Sequence, residues 1–411
     1  MRPAAPSGLV RSGRHDVALD PRPPLRHSLA PDRSTGRTSP LSRAARTEAP
    51  VEADLLDPRR NPDLTGHDEA ERLLLEAWSS GRLPHAWLIG GAPGIGKATL
   101  AFRFARFVLA QGGEPAAGLF GDAAPPSSLR IDPGHPVFRR VASGGHADLL
   151  TVERQRDEKR DRLKRDIAVD DVRKIGPFLR RTSAEGGWRI AVIDGADRMN
   201  LSGLNAILKI LEEPPPGALL LLVSDNPGGM LPTIRSRCRK LTLKPLPEDT
   251  VVKLLESHRP DVAAEDRAAL ARLSEGSIGR AIELADAGGL ALYREMVGLL
   301  SSLPRLDIVA AHAFGDKLTR KQDDGMYETA TGLLVWWLAR FARSLARGAW
   351  PAEVVAGEAA LMTRLAHARG LERWVEVWEK VQRLFARAES ANLDRKQVVL
   401  NALATLEAAA A

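Results

Sequence analysis

The sequence predicts an α/β domain built on a parallel sheet, followed by a region made of helices alone. Short, continuously apolar segments alternate with helical patterns as far as Pro245, as expected for a parallel sheet covered on both faces. One of these apolar segments leads directly into a glycine-rich loop and then a helix, which is the local context of a phosphate-binding loop. No convincing strand pattern remains after Pro245.

The first predicted elements surround the glycine-rich loop. The spacing of apolar residues indicates a helix from Asp68 to Trp78 with one apolar face. Residues 86–89 are predicted to form a short buried strand, and the glycine-rich loop follows at once. A second helix is predicted from Lys97 to about Ala110.

An insertion is predicted in the middle of this domain, at about residues 111–165. Its first part is rich in Gly, Pro and Ala, and its second part, residues 154–166, is a mixed charge run typical of a solvated loop or helix face. A helix is then predicted at 169–179. Two further buried strands are predicted at 189–193 and 219–223, both fully apolar.

The chain after Pro245 is predicted to be helical throughout. Three short helical patterns occupy residues 248–287, and longer ones occupy about 290–411. Aromatic residues at helical spacings are typical of a packed core, so we expect them to be buried and not to contact a ligand. They are Trp336, Trp337, Phe341, Trp374, Trp378 and Phe385.

The first 50 residues differ in composition from the rest of the chain. They contain eight Pro, nine Arg, no Lys and four acidic residues, and so contribute +5 of the net charge of +7. This composition predicts a disordered extension, placed at residues 1–58, with an organelle transit peptide as the alternative. The remaining 361 residues carry only +2, so the overall charge implies no basic stripe for nucleic acid.

Cysteine and hydropathy patterns exclude several classes of protein. With Cys238 as its single cysteine, the chain forms no internal disulfide and no cysteine-based zinc cluster, which fits a reducing, cytoplasmic compartment. No apolar run approaches the roughly 20 residues that span a bilayer.

The glycine-rich loop is the strongest chemical motif. Backbone N–H groups of such a loop, together with the N-terminus of the following helix, bind phosphate oxygens, and Lys97 would reach the β and γ phosphates. Ala98 stands where a Ser or Thr would bind Mg²⁺, and Thr99 is turned by about 100° from that position. Nucleotide binding is therefore predicted to be weak or vestigial, with Mg²⁺ only if nucleotide binds. The predicted contact residues are Gly91, Pro93, Gly94, Ile95, Gly96, Lys97, Ala98 and Thr99.

The strand at 189–193 ends in a single acidic residue where hydrolysis needs two. Asp194 could hold the metal, but Gly195 stands where a second carboxylate would polarise the attacking water. Loss of a general base typically costs about 10²- to 10⁴-fold in rate. Asp197 is expected to cap the next segment. With Ala98 and Gly195 together, hydrolysis in this site is predicted to be very slow.

Two later features leave alternatives open. A helix with an apolar stripe ends at Pro214, and its acidic pair, Glu212 and Glu213, could cap the helix, bridge to a partner or simply be solvated. Arg237 lies in a basic segment bounded by proline. It could be an arginine finger acting on a neighbouring subunit, worth about 10³- to 10⁵-fold in phosphoryl transfer, or part of a surface basic cluster.

The order of these motifs resembles the bacterial clamp-loader branch of the AAA+ ATPases, and within it the delta-prime type of subunit. The resemblance is strong over about residues 60–290 and weaker over the C-terminal helices, where residues 392–397 are the most similar. The segments that carry it are Leu64 to His67, Gly91 to Lys97, Val192 to Asp197, Asn205 to Pro215, Ser224 to Pro227 and Ser236-Arg237-Cys238.

The resemblance implies an AAA+ domain at 59–245, a small helical lid at 246–290 and a C-terminal helical collar at 291–411 that joins an oligomer. It implies a part in DNA polymerase III, with gamma/tau and delta subunits, the sliding clamp and primed DNA as partners. It also implies that Arg237, next to Ser236, is donated to the adjacent subunit's ATP. Membership of a polymerase complex leaves open whether the chain itself is an enzyme.

The resemblance adds further nucleotide-binding candidates and two departures from the family pattern. Ser224 occupies the first sensor position. Gly279 stands where the second sensor arginine is usual, with Arg280 shifted by one residue. Many relatives have four zinc-binding cysteines at about 111–150, and none is present here, so no zinc is expected. The added candidates are Gly66, His67, Ser224 and Arg280.

Two other functions remain as alternatives. An active AAA+ ATPase of gamma/tau type would need the carboxylate and hydroxyl that Gly195 and Ala98 lack. A DNA-binding adaptor without ATPase activity would need a basic surface, which the near-neutral body disfavours.

Overall fold

A computed structural model describes residues 57–112, 126–157, 162–319 and 324–411. The expectations for residues 1–56 and for much of the Gly/Pro/Ala-rich part of the insertion lie outside this part of the chain. The strands are β1 Ala86–Gly90, β2 Leu149–Val152, β3 Arg156–Asp157, β4 Arg162–Leu163, β5 Arg189–Asp194, β6 Ala218–Ser224 and β7 Arg239–Thr242.

Five strands form one parallel sheet in the order β2-β5-β6-β1-β7. Its register brings the carboxyl ends of neighbouring strands together: Gly90 lies opposite Ser224, and Asp194 lies opposite Val223. In an open parallel sheet, ligands bind outside this edge.

Seven helices precede the end of the sheet in the described chain. They are α1 Asp68–Ser79, α2 Lys97–Gln111, α3 Pro136–Ala142, α4 Val169–Arg173, α5 Ile175–Leu179, α6 Leu201–Glu212 and α7 Pro232–Arg235. Alternate residues along the strands pack on opposite sides. Trp87 and Ile89 contact the core that includes α2, whereas Ala86 and Leu88 contact the core that includes α4 to α6. Both faces are therefore covered, which explains why the strands are apolar throughout.

Nine α-helices follow among the described residues. They are α8 Glu248–His258, α9 Ala264–Leu273, α10 Ile278–Asp286, α11 Gly289–Ser301, α12 Ile308–Leu318, α13 Asp324–Arg347, α14 Glu358–Ala368, α15 Leu371–Ala391 and α16 Arg395–Ala410. They share one hydrophobic core that runs from Leu246 to Ala410. Because this core is continuous across residues 290–291, the boundary between lid and collar stays a prediction.

The predicted fold class, a parallel α/β sheet followed by helical regions, is confirmed. The helical aromatics form its core as expected. Trp337, Phe341 and Trp374 are fully buried, and the Phe341 ring centroid lies 5.4 Å from that of Trp337 and 5.1 Å from that of Trp374. Trp378 and Phe385 are partly buried against the same core. None of the described helices is long and apolar enough to cross a membrane.

Two local predictions were wrong. The charge run at 154–166 contains the short antiparallel pair β3–β4, because charged side chains also suit the edge of an exposed hairpin. The helix expected at 169–179 is two short helices separated at Lys174. Its inward positions are nevertheless correct, since Val172, Ile175 and Leu179 are buried.

Candidate functional site

A cleft of about 620 Å³ lies at the carboxyl edge of the sheet. The glycine-rich loop and the N-terminus of α2 form its floor, and α8 and α10 cover it. The lining residues come from the segment before α1, the glycine-rich loop and the start of α2, the strand ends, and helices α8 and α10. They are Pro58, Asn61, Asp63, Leu64, Thr65, Pro93, Gly94, Ile95, Gly96, Lys97, Ala98, Thr99, Asp194, Val223, Asp225, Leu246, Leu254, Ser257, His258, Ile278, Gly279 and Ile282.

The loop adopts a conformation that only glycine accommodates well. Gly94 and Gly96 have φ values of +73° and +102°, in the region that other residues rarely adopt. Helix α10 closes directly over the loop: Gly279 N–H donates to the Gly94 carbonyl at 2.9 Å, and Ser277 Oγ–H donates to the Pro93 carbonyl at 2.7 Å. The glycines and the N-terminus of α2 provide the kind of backbone cradle that binds phosphate.

Lys97 is buried at the base of this cradle and is already paired. Its Nζ donates to the Ala92 carbonyl at 2.6 Å and lies 2.7 Å from Asp225 Oδ1. The Asp225 N–H donates to Asp197 Oδ1 at 3.0 Å. The expectation that Asp197 caps the next segment was therefore wrong. Asn200 caps α6 instead, accepting a hydrogen bond from Gly203 N–H.

Asp194 lines the same cleft at the end of β5. Burial raises the pKa of its carboxyl, and the neighbouring carboxylates of Glu153 and Asp225 raise it further, against the opposing effect of Lys97. Gly195 follows at φ +83° and adds no carboxylate. Ala98 also lines the cleft, but its side chain has no oxygen that could bind a metal ion.

An ATP–Mg²⁺ site needs a part that binds phosphate and a part that binds the metal ion, and this cleft has residues suited mainly to the first. The loop and helix suit a phosphate group, whereas Ala98 provides no metal ligand. Among the described residues, no group of three or more His, Cys, Asp or Glu side chains could hold a metal ion.

Most of the predicted loop residues line the cleft, but several other candidates do not. Gly91 does not line the cleft. His67 is buried beneath the loop, where its Nε2–H donates to the Ile95 carbonyl at 2.6 Å. Burial lowers its pKa, so its neutral form supports the loop backbone. Gly66 packs against Leu246 outside the cleft.

Both sensor candidates are displaced from the cleft lining. Ser224 is fully buried, and its hydroxyl has no hydrogen-bond partner among the described residues. The next residue, Asp225, reaches the cleft in its place. Arg280 does not line the cleft, and its Nη1 lies 3.9 Å from Glu275 Oε2.

Sequence reasoning missed the wall formed by residues 57–65. Two arginines of α2 hold this segment. Arg106, which is 1% exposed, donates to the Arg59 carbonyl at 2.7 Å and to the Asn61 carbonyl at 2.6 Å. Arg103 donates to the Pro62 carbonyl. The available signal was two arginines three residues apart, Arg103 and Arg106, within the apolar stretch from Leu100 to Ala110 of this helix.

Arg237 lies outside the cleft, on the surface beside the end of α6. Its side chain is 37% exposed. Nη1 donates to the Thr233 carbonyl at 3.0 Å, and Nη2 lies 2.9 Å from Glu212 Oε1. Ser236 Oγ–H donates to the same Thr233 carbonyl at 3.1 Å. Glu212, at the acidic end of α6, thus bridges to Arg237 in its own chain, which was not among the alternatives that the sequence suggested for the acidic pair.

Cys238 anchors the neighbouring segment in the core. It is buried, and burial raises the pKa of its thiol to about 12. This thiol is therefore protonated at neutral pH, and its part in the segment is packing.

Comparison with known proteins identifies the relationship. A family model described as DNA polymerase III, delta subunit, matches residues 66–247. The delta-prime subunit of Pseudomonas aeruginosa is 36% identical over 194 residues, covering 47% of this chain and 53% of that protein. The delta-prime subunit of Escherichia coli is 30% identical over 211 residues, covering 51% and 57%.

An Escherichia coli tau subunit is 29% identical over 233 residues, covering 56% of this chain and 33% of its own length. The chain thus spans about half the length of these delta-prime relatives and a third of tau. The resemblance to delta-prime-like clamp-loader subunits, predicted from the motifs, is confirmed.

Proposed function

We propose that this chain, which is similar over about half its length to delta-prime subunits, works as a subunit of the DNA polymerase III clamp loader. In this role it would join gamma/tau and delta subunits in the cytoplasm. The assembly would place a sliding clamp on primed DNA, driven by ATP hydrolysis in its partners. The similarity to both delta-prime and tau subunits supports this coarse assignment.

The chain's own cleft is proposed to be inactive in hydrolysis. Gly195 provides no carboxylate to polarise water, and Ala98 provides no hydroxyl for Mg²⁺. Lys97, the phosphate-binding cation, is paired with Asp225. Weak or vestigial nucleotide binding is compatible with these features, and fast turnover is not.

Arg237 is proposed to act on the ATP of an adjacent subunit. The observation that carries this proposal is its position: its guanidinium is partly exposed on the surface and lies outside the cleft of its own chain. At this position Arg237 can reach the phosphates of a nucleotide only when that nucleotide is carried by a molecule that docks against this surface. In phosphoryl transfer such a group is worth about 10³- to 10⁵-fold.

An active ATPase of gamma/tau type is the second candidate, favoured by the similarity to tau over 233 residues. The two candidates differ in what the isolated chain does. A gamma/tau-type subunit hydrolyses ATP in its own cleft and loses this activity when Lys97 is replaced. A delta-prime-type subunit is inert alone and affects turnover only through Arg237.

The test is ATP turnover by gamma/tau partners with clamp and primed DNA, reconstituted with wild-type chain or with Arg237→Ala. The expected result is a loss of at least about tenfold in turnover at unchanged assembly. Arg239→Ala, which removes an exposed arginine two residues away, is the matched control and should leave turnover unchanged. If the isolated chain hydrolyses ATP, or if Arg237→Ala changes nothing, the proposal is wrong.

A further inference from the structure

The ion pair between Lys97 and Asp225 occupies the place where a phosphate group would meet the lysine. Lys97 is 4% exposed, and its Nζ has one carbonyl and one carboxylate partner, at 2.6 and 2.7 Å. Asp225 lines the cleft and is 37% exposed. A carboxylate oxygen at this distance satisfies the ammonium group in the way a phosphate oxygen would.

The backbone fixes Asp225 in this position from both sides. Strand β6 ends at Ser224, opposite Gly90 at the start of the loop. The Asp225 N–H is held by Asp197 Oδ1, and Asn226 Oδ1 accepts from Gly229 N–H at 3.1 Å to begin the next turn. The carboxylate therefore belongs to an ordered turn that presents it to the loop.

The charges around the cleft favour this closed pair over an incoming phosphate. Among the described residues that line the cleft, Lys97 is the single Lys or Arg, whereas three residues are acidic: Asp194 and Asp225, which lie near Lys97, and Asp63, which is paired with Arg130. Like charges at short range repel one another. A polyphosphate chain must therefore displace Asp225 from Lys97 and then remain next to it.

We propose that Asp225 acts as an internal competitor of phosphate for Lys97 and thereby sets a low affinity of this cleft for nucleoside di- and triphosphates. This inference rests on the proposed function insofar as the ligand of the cleft is a nucleotide. The competition concerns the phosphates that Lys97 reaches, the β and γ groups. A nucleoside monophosphate lacks these groups and is insensitive to Asp225.

The experiment is calorimetric titration of the full chain with ATP, ADP and AMP in the presence of Mg²⁺. Asp225→Asn keeps the size of the side chain and removes its charge, and Asp225→Ser is a second neutral variant in case the first does not fold. The control is Asp316→Asn, which breaks a Lys–Asp pair of similar length, 2.6 Å to Lys396, far along the chain from the cleft residues. Thermal melting checks that every variant is folded.

The expected result is that Asp225→Asn binds ATP and ADP at least about tenfold more tightly than the wild type, while AMP binding changes less than about twofold. Asp316→Asn should match the wild type. The gain should vanish when Lys97→Ala is added to Asp225→Asn, because the freed lysine is the source of the gain.

Two outcomes overturn the inference. One is equal ATP affinity in the wild type and in both folded Asp225 variants. The other is an equal gain for AMP, which would indicate a general charge effect. If either outcome occurs while Arg237→Ala still lowers turnover by the partners, the inference about Asp225 fails and the proposed function stands. If Asp225→Asn tightens ATP binding but Arg237→Ala changes nothing, the inference about Asp225 stands and the proposed function fails.

Discussion

Arg237 and Glu212 form an ion pair within one chain, with 2.9 Å between Nη2 and Oε1. The arginine that we propose to act on a neighbouring subunit is therefore held by a carboxylate at the end of α6. Both side chains are substantially exposed, and exposed ion pairs contribute only about 0–1 kcal/mol. Breaking this ion pair so that Arg237 can contact a docked nucleotide should therefore cost little free energy.

Replacing Glu212 by Gln should consequently have a small effect on the assembled complex. We expect turnover in the reconstituted clamp loader to rise by no more than about fivefold, because the ion pair to be broken is weak. Glu213→Gln, at the adjacent exposed position, is the control. A loss of turnover as severe as that of Arg237→Ala would contradict this view and assign Glu212 a direct part in the reaction.

His67 should make the folded state sensitive to mild acid. Burial lowers its pKa below the ordinary value of 6.5, so the unfolded chain binds a proton at this position before the folded chain does. The stability that neutral, buried His67 contributes is fully present above the ordinary pKa of 6.5 and is lost as the pH falls through the lowered pKa of the folded state. The slope reaches about 1.4 kcal/mol per pH unit for one proton.

The measurement is the free energy of unfolding in urea at about pH 7.5 and about pH 5.5, for the wild type and for His67→Gln. His67→Gln should lose less stability than the wild type between these two pH values. Part of the slope should remain, because burial also lowers the pKa of His146 and of His258. An unchanged slope in the variant would show that His67 is not the responsible group.

Gly279 should tolerate no side chain. A Cβ atom there would lie 2.8 Å from Gly94 Cα and 3.1 Å from the Gly94 carbonyl oxygen, so α10 or the loop would have to move. We expect Gly279→Ala to lower the free energy of unfolding by about 1–3 kcal/mol. Gly298→Ala is the matched control. It lies within α11 with nothing within 4 Å of its added Cβ and should stabilise by up to about 1 kcal/mol. Equal effects of the two substitutions would contradict the close contact.

Arg106 should be a principal anchor of the wall at residues 57–65. Its guanidinium donates to two backbone carbonyls and lies 4.6 Å from the centroid of the Phe138 ring. Burial lowers its pKa to about 10, so it remains charged at neutral pH. Arg106→Met should destabilise the chain by about 2–4 kcal/mol in chemical denaturation and expose this segment to proteolysis.

The control for Arg106 is Arg72→Met. Arg72 is exposed, with Nε 3.8 Å from Glu76 Oε1, and its loss should cost well under about 1 kcal/mol. Similar losses for the two variants would mean that the buried hydrogen bonds of Arg106 contribute little.

Local geometry explains why several of the predicted site residues lie together. The glycine-rich loop, Lys97 and Asp194 meet in one cleft, because parallel strands end at the same edge of a sheet and the loop directly follows one of them. Ser224, a nucleotide-binding candidate from the resemblance, does not line the cleft, whereas the next residue, Asp225, does. Successive residues of a strand face opposite sides, so the end of β6 decides which residue reaches the cleft, and the sequence does not mark that end.

The sequence by itself determined the fold class, the glycine-rich loop with Lys97, and the lack of a side-chain hydroxyl at Ala98 and of a carboxylate at Gly195, since each depends on local pattern or residue identity. Tertiary structure decided the partners of the charged groups. Lys97 meets Asp225 at the carboxyl edge of the sheet, and Arg237, just before β7, meets Glu212 at the end of α6, only because the fold brings together residues that are distant along the chain. An ion pair depends on distance in space, and a sequence pattern specifies only distance along the chain.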